Sequence, residues 1–222
     1  MTLILCHGGM YSGKSDFAIS RVQSYLKEGL KGVLYQPEKN TRDIFHGKPV
    51  WFSRAGGDEI TLLSANFFES PKQVLENIDK YDVFGFEEWQ MYSADVFEVI
   101  EELHESKKIV VAAGLDYYFN GEPVELFDKL RNLKEAILFP GISARCQDCQ
   151  DGGKRIMALR TQRTHFGVPE NFDAAKIVAE GISGYDYKPV CLKHWKVNPP
   201  SNPDLFPDYE RFYLKHVKND TK

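Results

Sequence analysis

The 222-residue sequence has only four cysteines, three tryptophans and no surplus of positive charge. Lys and Arg number 28 against 32 Asp and Glu, for a net charge of −4 and an isoelectric point of about 5.9. A general nucleic-acid binder usually carries a basic excess, so that class is disfavoured. A small anionic ligand is not, because a few local N–H donors hold a phosphate whatever the total charge. Long apolar runs are also missing. The longest, Ile109-Val110-Val111-Ala112-Ala113, has the length of a strand, far below the roughly 20 residues that cross a bilayer, and no membrane partner is expected. The opening Met1-Thr2-Leu3-Ile4-Leu5-Cys6 has no basic lead, so no secretory signal is expected and the cytoplasm is the expected compartment. There, cysteines stand as thiols or metal ligands rather than disulfides. Repeats and low-complexity tracts are absent. A chain 42% hydrophobic and 27% charged, with mean hydropathy −0.41, is neither disordered nor collagen-like.

What is present alternates between strand and helix signals. Thr2–His7 is a short apolar run that stops at Gly8-Gly9. Residues 14–28 carry Phe17, Ile19, Val22 and Leu26 at roughly helical spacing. Residues 32–36 read as a strand halted by Pro37, 72–79 as a helix opened by Pro71, and 83–86 as a strand. Residues 94–105 read as a helix with Val96, Phe97, Ile100 and Leu103 on one side, and 108–113 as a strand. Apolar strands separated by helices imply an α/β fold with a parallel sheet covered on both faces, whose ligands sit at the carboxyl ends of the strands. Three divisions are expected: a nucleotide-binding domain over 1–141, a metal-stapled module over 142–196, and a loosely held extension over 197–222. Within the extension, Tyr209, Phe212 and Tyr213 are the residues able to dock.

Three motifs carry chemistry. Gly8-Gly9-Met10-Tyr11-Ser12-Gly13-Lys14-Ser15 satisfies G-x-x-x-x-G-K-[ST] between a strand and a helix. Its glycines let the loop wrap so that backbone N–H groups face phosphate oxygens. Lys14 is expected at the β- and γ-phosphates of ATP and Ser15 on Mg²⁺. Glu87 and Glu88 end an apolar strand. Adjacent residues of an extended strand point to opposite sides, so one acid could serve the metal and the other a hydroxyl. Cys146-x-x-Cys149 and Cys191-x-x-His194 form a Cys₃His set that closes a tetrahedral structural zinc site and leaves no open position. Cys6 has no partner spacing and reads as a buried strand residue.

Taken together, these segments resemble the thymidine kinase family of the P-loop plus zinc-ribbon type, over about residues 2–196. Residues 8–15 match its G-P-M-F-S-G-K-[ST] loop, with Gly9 for Pro and Tyr11 for Phe. Pro37, Thr41 and Arg42 match K-P-x-x-D-T-R, with Gln36 for Lys and Asn40 for Asp. Ser53-Arg54 matches S-R-x-G, Glu87-Glu88-Trp89-Gln90-Met91 matches D-E-x-Q-F, and Gly114-Leu115-Asp116-Tyr117-Tyr118-Phe119 matches G-L-D-x-x-F. Residues 154–160 resemble K-A-S-M-V-L-R, and Tyr187 with residues 190–195 resembles Y-x-S-V-C-R-K-H-[WY]. The resemblance implies a RecA-like P-loop core with a zinc-ribbon and lasso module. It also implies transfer of the ATP γ-phosphate to the 5′-hydroxyl of thymidine, with deoxyuridine also accepted.

Residue roles follow from the same resemblance. Glu88 becomes the general base and Arg42 the residue that steadies phosphate charge. Gly8, Gly9, Met10, Tyr11, Ser12, Gly13, Lys14, Ser15, Glu87 and Gln90 become the nucleotide and Mg²⁺ side. Met10, Met91, Leu115, Phe119, Met157, Ala158 and Tyr187 become the nucleoside side, with Phe119 offering a flat face to the pyrimidine. A loop at about 180–190 would close over the base; here it carries Ile182-Ser183-Gly184 and Pro189, and 161–176 is an unusual insert. A homotetramer and feedback inhibition by dTTP are further implications. Two other readings stay open: a nucleoside monophosphate kinase with a zinc lid, and a P-loop ATPase whose ribbon binds nucleic acid through Arg145, Arg155, Arg160 and Arg163.

Overall fold

In the computed structural model the described residues are 2–37, 44–45, 48–49, 62–65, 71–141, 144–149, 156–178 and 182–218. Arg42, with Asn40, Thr41, Ser53, Arg54, Lys154 and Arg155, lies outside them. The chain divides into two compact units. The first comprises Met1–His7, Lys14–Leu115 and Val124–Pro140; the second comprises Gly8–Gly13, Asp116–Pro123 and Gly141–Lys222. Two short segments of the N-terminal half, 8–13 and 116–123, group with the second unit.

The first unit is built on β1 (Thr2–His7), β2 (Gly32–Pro37), β5 (Leu62–Ala65), β6 (Val83–Phe86), β7 (Ile109–Gly114) and β8 (Ala136–Pro140). They form one sheet in the order β5-β2-β6-β7-β1-β8, and every pairing is parallel. The two-residue strands β3 (Ile44–Phe45) and β4 (Lys48–Pro49) form a separate antiparallel pair. Leu3 to Cys6 of β1 and Val110 to Ala113 of β7 are all buried, as the inner strands of a doubly covered sheet must be.

Helix α1 (Lys14–Lys27) lays Ala18 and Val22 against Ile4, Cys6, Val83, Val111 and Ala113. Gly85 permits that close approach, since a Cβ there would come within 2.3 Å of Leu34 Cδ1 and 3.3 Å of Val22 Cγ2. Helix α2 (Val96–Glu105) buries Val96, Val99, Ile100 and Leu103, the spacing of one helical face. A short α3 follows at Glu125–Leu130. The helix expected over 72–79 is instead a 3₁₀ helix, Pro71–Asn77. Of its side chains described, only Val74 is fully buried, which leaves little packing to reward a longer α-helix. Register pairs Phe86 with Ala112 and His7 with Gly114, so β6, β7 and β1 end at the same sheet edge. No helix among the described residues is long and apolar enough to cross a membrane.

The second unit holds a three-stranded antiparallel sheet, β10 (Val168–Pro169), β9 (Arg160–His165) and β11 (Tyr185–Val190), in the order β10-β9-β11. Its core gathers Phe119, Cys146, Phe172, Val190, Cys191, Trp195 and Val197. Described residues of the C-terminal segment bond to this core. Phe172 N–H donates to the Asn198 carbonyl, Asn198 N–H to the Glu170 carbonyl (3.0 Å each), and Ser201 N–H to the Asp173 carboxylate at 2.9 Å. Helix α4 (Tyr209–Lys218) then packs Tyr209, Phe212 and Tyr213 on that core. The segments 8–13 and 116–123 belong here because their polar groups are satisfied here. Met10 N–H donates to Thr161 Oγ1 at 2.9 Å, Asn120 Nδ2 to the Phe172 carbonyl at 2.9 Å, and Trp195 Nε1 to the Phe119 carbonyl at 2.8 Å.

Candidate functional site

The glycine loop adopts the conformations its composition allows. Gly8 and Gly13 have φ of +145° and +79°, and between them Tyr11 has φ of +63°. A Cβ on Gly8 would meet Ser12 Oγ at 2.9 Å, and one on Gly141 would meet it at 2.3 Å, so buried Ser12 packs against bare backbone. Gly9 and Met10 lie against Thr161: the Met10 N–H is held by its hydroxyl, and a Cβ on Gly9 would come to 3.3 Å from that oxygen. The chain then enters α1 at Lys14, which is buried, with Ser15 and Asp16 in the first turn. A wrapped loop running into a helix N-terminus offers N–H groups and partial positive charge, the donor set a polyphosphate needs.

In the first unit the two glutamates differ in backbone and burial. β6 ends at Phe86. Glu87 N–H still donates to the Tyr35 carbonyl at 2.9 Å, and its side chain is buried. Glu88 leaves the pleat, with φ 51° and ψ 50°, a left-handed conformation that costs a non-glycine residue about 1–2 kcal/mol. A 3₁₀ turn, Trp89–Met91, follows. Gln90 Nε2 donates to Glu88 Oε2 at 2.5 Å, while Gln90 Oε1 accepts the Leu115 N–H at 3.0 Å. Trp89 Nε1 donates to the Leu115 carbonyl at 2.7 Å. Trp89 is wholly buried, stacked on Phe127 with centroids 5.3 Å apart and planes 9° from parallel. Gly114 makes room for it, since a Cβ there would fall 2.4 Å from Trp89 Cδ1. Gln90, expected on the nucleotide side, is thus bound to Glu88 and Leu115. Met91 and Leu115 are half-buried.

Nearby chemistry is shaped by burial. Cys6 is 1% exposed, as a strand residue without partner spacing should be. Burial, reinforced by the Glu87 charge and opposed by Arg21, pushes its thiol up to about 12. A carboxylate buried like Glu87 fits a site that takes a hard cation, because a counter-charge offsets its lost hydration.

The nucleoside-side residues of the second unit are placed unevenly. Phe119 is a core residue: it is 4% exposed and its ring is covered by the Arg163 guanidinium at 3.7 Å from the centroid. The flat face expected for a pyrimidine is on that side occupied by protein. Met157 is exposed and Ala158 half-buried. Tyr187 O–H donates to the Val178 carbonyl at 2.7 Å. Arg163, read from sequence as one of a basic set, is 1% exposed and bonds Glu170 at 2.7 Å, while Arg160 stacks on Tyr117 at 4.4 Å. Trp89, Thr161 and Arg163 carry structural roles that no spacing or composition signal announced.

The metal set is assembled. The ligand atoms of Cys146, Cys149, Cys191 and His194 all lie within 4.8 Å of one another. His194 Nδ1 stands 3.4 Å from each of the three sulfurs, and Cys149 Sγ 3.7 Å from Cys191 Sγ. A tetrahedron with Zn–S of about 2.3 Å and Zn–N of about 2.0–2.1 Å has edges of roughly 3.8 and 3.6 Å, so these four atoms fit one zinc ion. Burial opposes ionisation of Cys146, but hydrogen bonds from the Cys191 backbone, His194 and the Asp148 backbone outweigh it and hold the thiol below its ordinary range, while burial and the neighbouring sulfurs push Cys149 up.

Comparison with known proteins agrees with the sequence motifs. The family model described as thymidine kinase matches residues 1–195. A thymidine kinase of Mycoplasmoides gallisepticum is 28% identical over 213 residues, covering 96% of this chain and 87% of its own. One from Pyrobaculum aerophilum is 28% identical over 201 residues, covering 89% of this chain and all of its own.

Proposed function

The chain belongs to the thymidine kinase family, and we infer that it transfers the γ-phosphate of ATP to the 5′-hydroxyl of thymidine, releasing dTMP and ADP. The observation that carries this reading is the family match over residues 1–195, whose span includes a wrapped glycine loop leading into α1 and a carboxylate pair just past the end of β6. In this reading the loop amides and Lys14 grip the polyphosphate and set its γ-phosphorus for in-line attack. Ser15 and Glu87 would hold Mg²⁺, which when bound draws off negative charge from the phosphates. Glu88 accepts the proton of the 5′-hydroxyl as that oxygen attacks.

Deoxyuridine fits as a second substrate, differing from thymidine by one methyl group, worth only about 1–3 kcal/mol in an apolar pocket. Arg42 is assigned to the charge of the transferring phosphoryl group, and Met10, Met91, Leu115, Phe119, Met157, Ala158 and Tyr187 to the nucleoside by resemblance. Phe119 acts there through its packing rather than as an open platform. The zinc is structural, since four protein ligands complete its tetrahedron. Assembly as a homotetramer and a cytoplasmic location complete the proposal.

The test is an assay of Glu88→Gln beside the wild type with Mg-ATP and a panel of nucleosides. The wild type is expected to phosphorylate thymidine first and deoxyuridine next. The variant is expected to bind ATP unchanged and lose turnover by 10²-fold or more, because an amide accepts no proton (~10²–10⁴-fold for general-base catalysis). Preference for a purine nucleoside, or turnover of dTMP in place of thymidine, would overturn the substrate assignment.

A further inference from the structure

We propose that Trp89 and Gln90 form a positioning clamp that fixes the Glu88 carboxylate for its reaction with the substrate hydroxyl. The inference rests on the reading of Glu88 as base and adds how the chain aims it.

The orientation of the Gln90 amide is determined by chemistry. A backbone N–H only donates, so the oxygen of the amide faces Leu115 and the NH₂ faces Glu88. The carboxylate therefore receives a donor from a side chain anchored at its far end to the residue just past β7. Trp89 takes the other backbone group of the same residue, its indole N–H meeting the Leu115 carbonyl. Two consecutive side chains thus satisfy both polar backbone groups of Leu115.

The indole is itself immobilised. It stacks on Phe127, which stacks on His7 at the end of β1 with centroids 4.7 Å apart, and Gly114 closes against it. The ends of β1, β6 and β7 are linked in this way around one carboxylate. Such bracing explains how Glu88 persists in a left-handed turn, since strained backbone at a site is retained only where its surroundings over-determine it. Gln90 was expected to face the nucleotide; the clamp gives it another task, as a positioning residue that touches the base.

The chemical consequence is specific. A carboxylate held by a donor that is itself anchored keeps one orientation, so Gln90 sets the direction in which Glu88 meets the substrate hydroxyl. The test compares Gln90→Leu, Trp89→Phe and Glu88→Gln in the zinc-loaded full chain, measuring kcat and both KM values. For Gln90→Leu we expect kcat to fall about 10–100-fold with both KM values within about twofold, as for a misplaced catalytic group. Trp89→Phe keeps an aromatic ring but loses the N–H. It is expected to lower kcat severalfold at unchanged KM for ATP.

A kcat of Gln90→Leu within about twofold of the wild type, or a loss carried by KM rather than kcat, overturns the clamp, because a misplaced base lowers kcat at unchanged KM. Wild-type kcat in Trp89→Phe removes Trp89 from it. If Glu88→Gln retains turnover, the base reading fails and the clamp fails with it. If Glu88→Gln is inactive while Gln90→Leu behaves as wild type, the base reading stands and the clamp alone is refuted.

Discussion

The guanidinium of Arg163 lies 3.7 Å from the ring centroid of Phe119 while one of its nitrogens holds Glu170 at 2.7 Å. Arg163 is 1% exposed and the Glu170 side chain 13%, so this is a buried ion pair with an aromatic lid. Replacing only one member leaves a charge in the core without its partner, a change that typically costs about 3–5 kcal/mol. Arg163→Met, which keeps an unbranched apolar stem and loses the guanidinium, is therefore expected to lower stability by that amount in urea unfolding of the zinc-loaded protein. The double variant with Glu170→Gln is expected to recover part of the loss. A loss below about 1 kcal/mol in the single variant would mean that the pair contributes little.

Motifs at strand ends were legible because chemistry restricts them: Gly8, Gly13 and Lys14, the Glu87-Glu88 pair and the Cys₃His spacing each allow few other uses. The buried runs of β1 and β7 were legible because a doubly covered strand has to be apolar along its length. β9 was not, since Arg160-Thr161-Gln162-Arg163 is polar throughout and is held as a strand by pairing with β11 rather than by alternation. β8 was missed as well. It is an edge strand with Ile137 46% and Leu138 43% exposed, and its place is set by β1. Glu88 shows a further limit. Pleating was expected to part the two acids; instead Glu88 leaves the strand in a left-handed turn, beside a Trp89 bonded to Leu115 26 positions away.

Zinc removal is expected to unfold the second unit's core. Cys146 and Cys191 belong to the same cluster as Phe119, Phe172 and Trp195, so ligands and core form together. Structural zinc sites contribute on the order of 10 kcal/mol. Metal analysis is expected to give one zinc per chain, and Cys149→Ser to reduce it. Chelation should abolish amide protection in β9 and β11 while β1 and β7, with their own core, stay protected. Protection of β9 and β11 that survives complete zinc loss would contradict the structural role.

The C-terminal segment beyond residue 195, outside the family match, is expected to be integral to that unit. Phe212 meets Phe172 edge-on with centroids 5.5 Å apart, and Tyr213 lies 5.7 Å from Trp195. Full burial would make Phe212→Ala worth about 3–5 kcal/mol. The ring is half-buried, so about 1–2 kcal/mol is expected on the same scale, read as a lower unfolding midpoint. Ending the chain after Asn202 would expose Phe172 and Trp195 together, with greater binding of an apolar dye as the measurement. A truncated chain with the original midpoint and no added dye binding would show that the segment is dispensable.

Alkaline pH offers a test of how the first unit buries Cys6. The thiol of the unfolded chain titrates at 9.0, and in the fold burial, aided by the nearby Glu87 charge and opposed by Arg21, pushes it up to about 12. The folded state thus favours the protonated form. Its contribution is fully present below pH 9 and is lost as pH rises from there toward 12, because the unfolded chain releases a proton that the folded chain retains. The loss is at most about 1.4 kcal/mol per pH unit for one group. Cys6→Ala removes the titration and leaves a small cavity, so it should lower stability at pH 7 and flatten its fall between pH 9 and 10.5. The thiol of the wild type should also resist alkylation at pH 8 until the first unit unfolds. Equal slopes for the two proteins over that range, or rapid native-state labelling of Cys6, would show that the strand end is open to solvent.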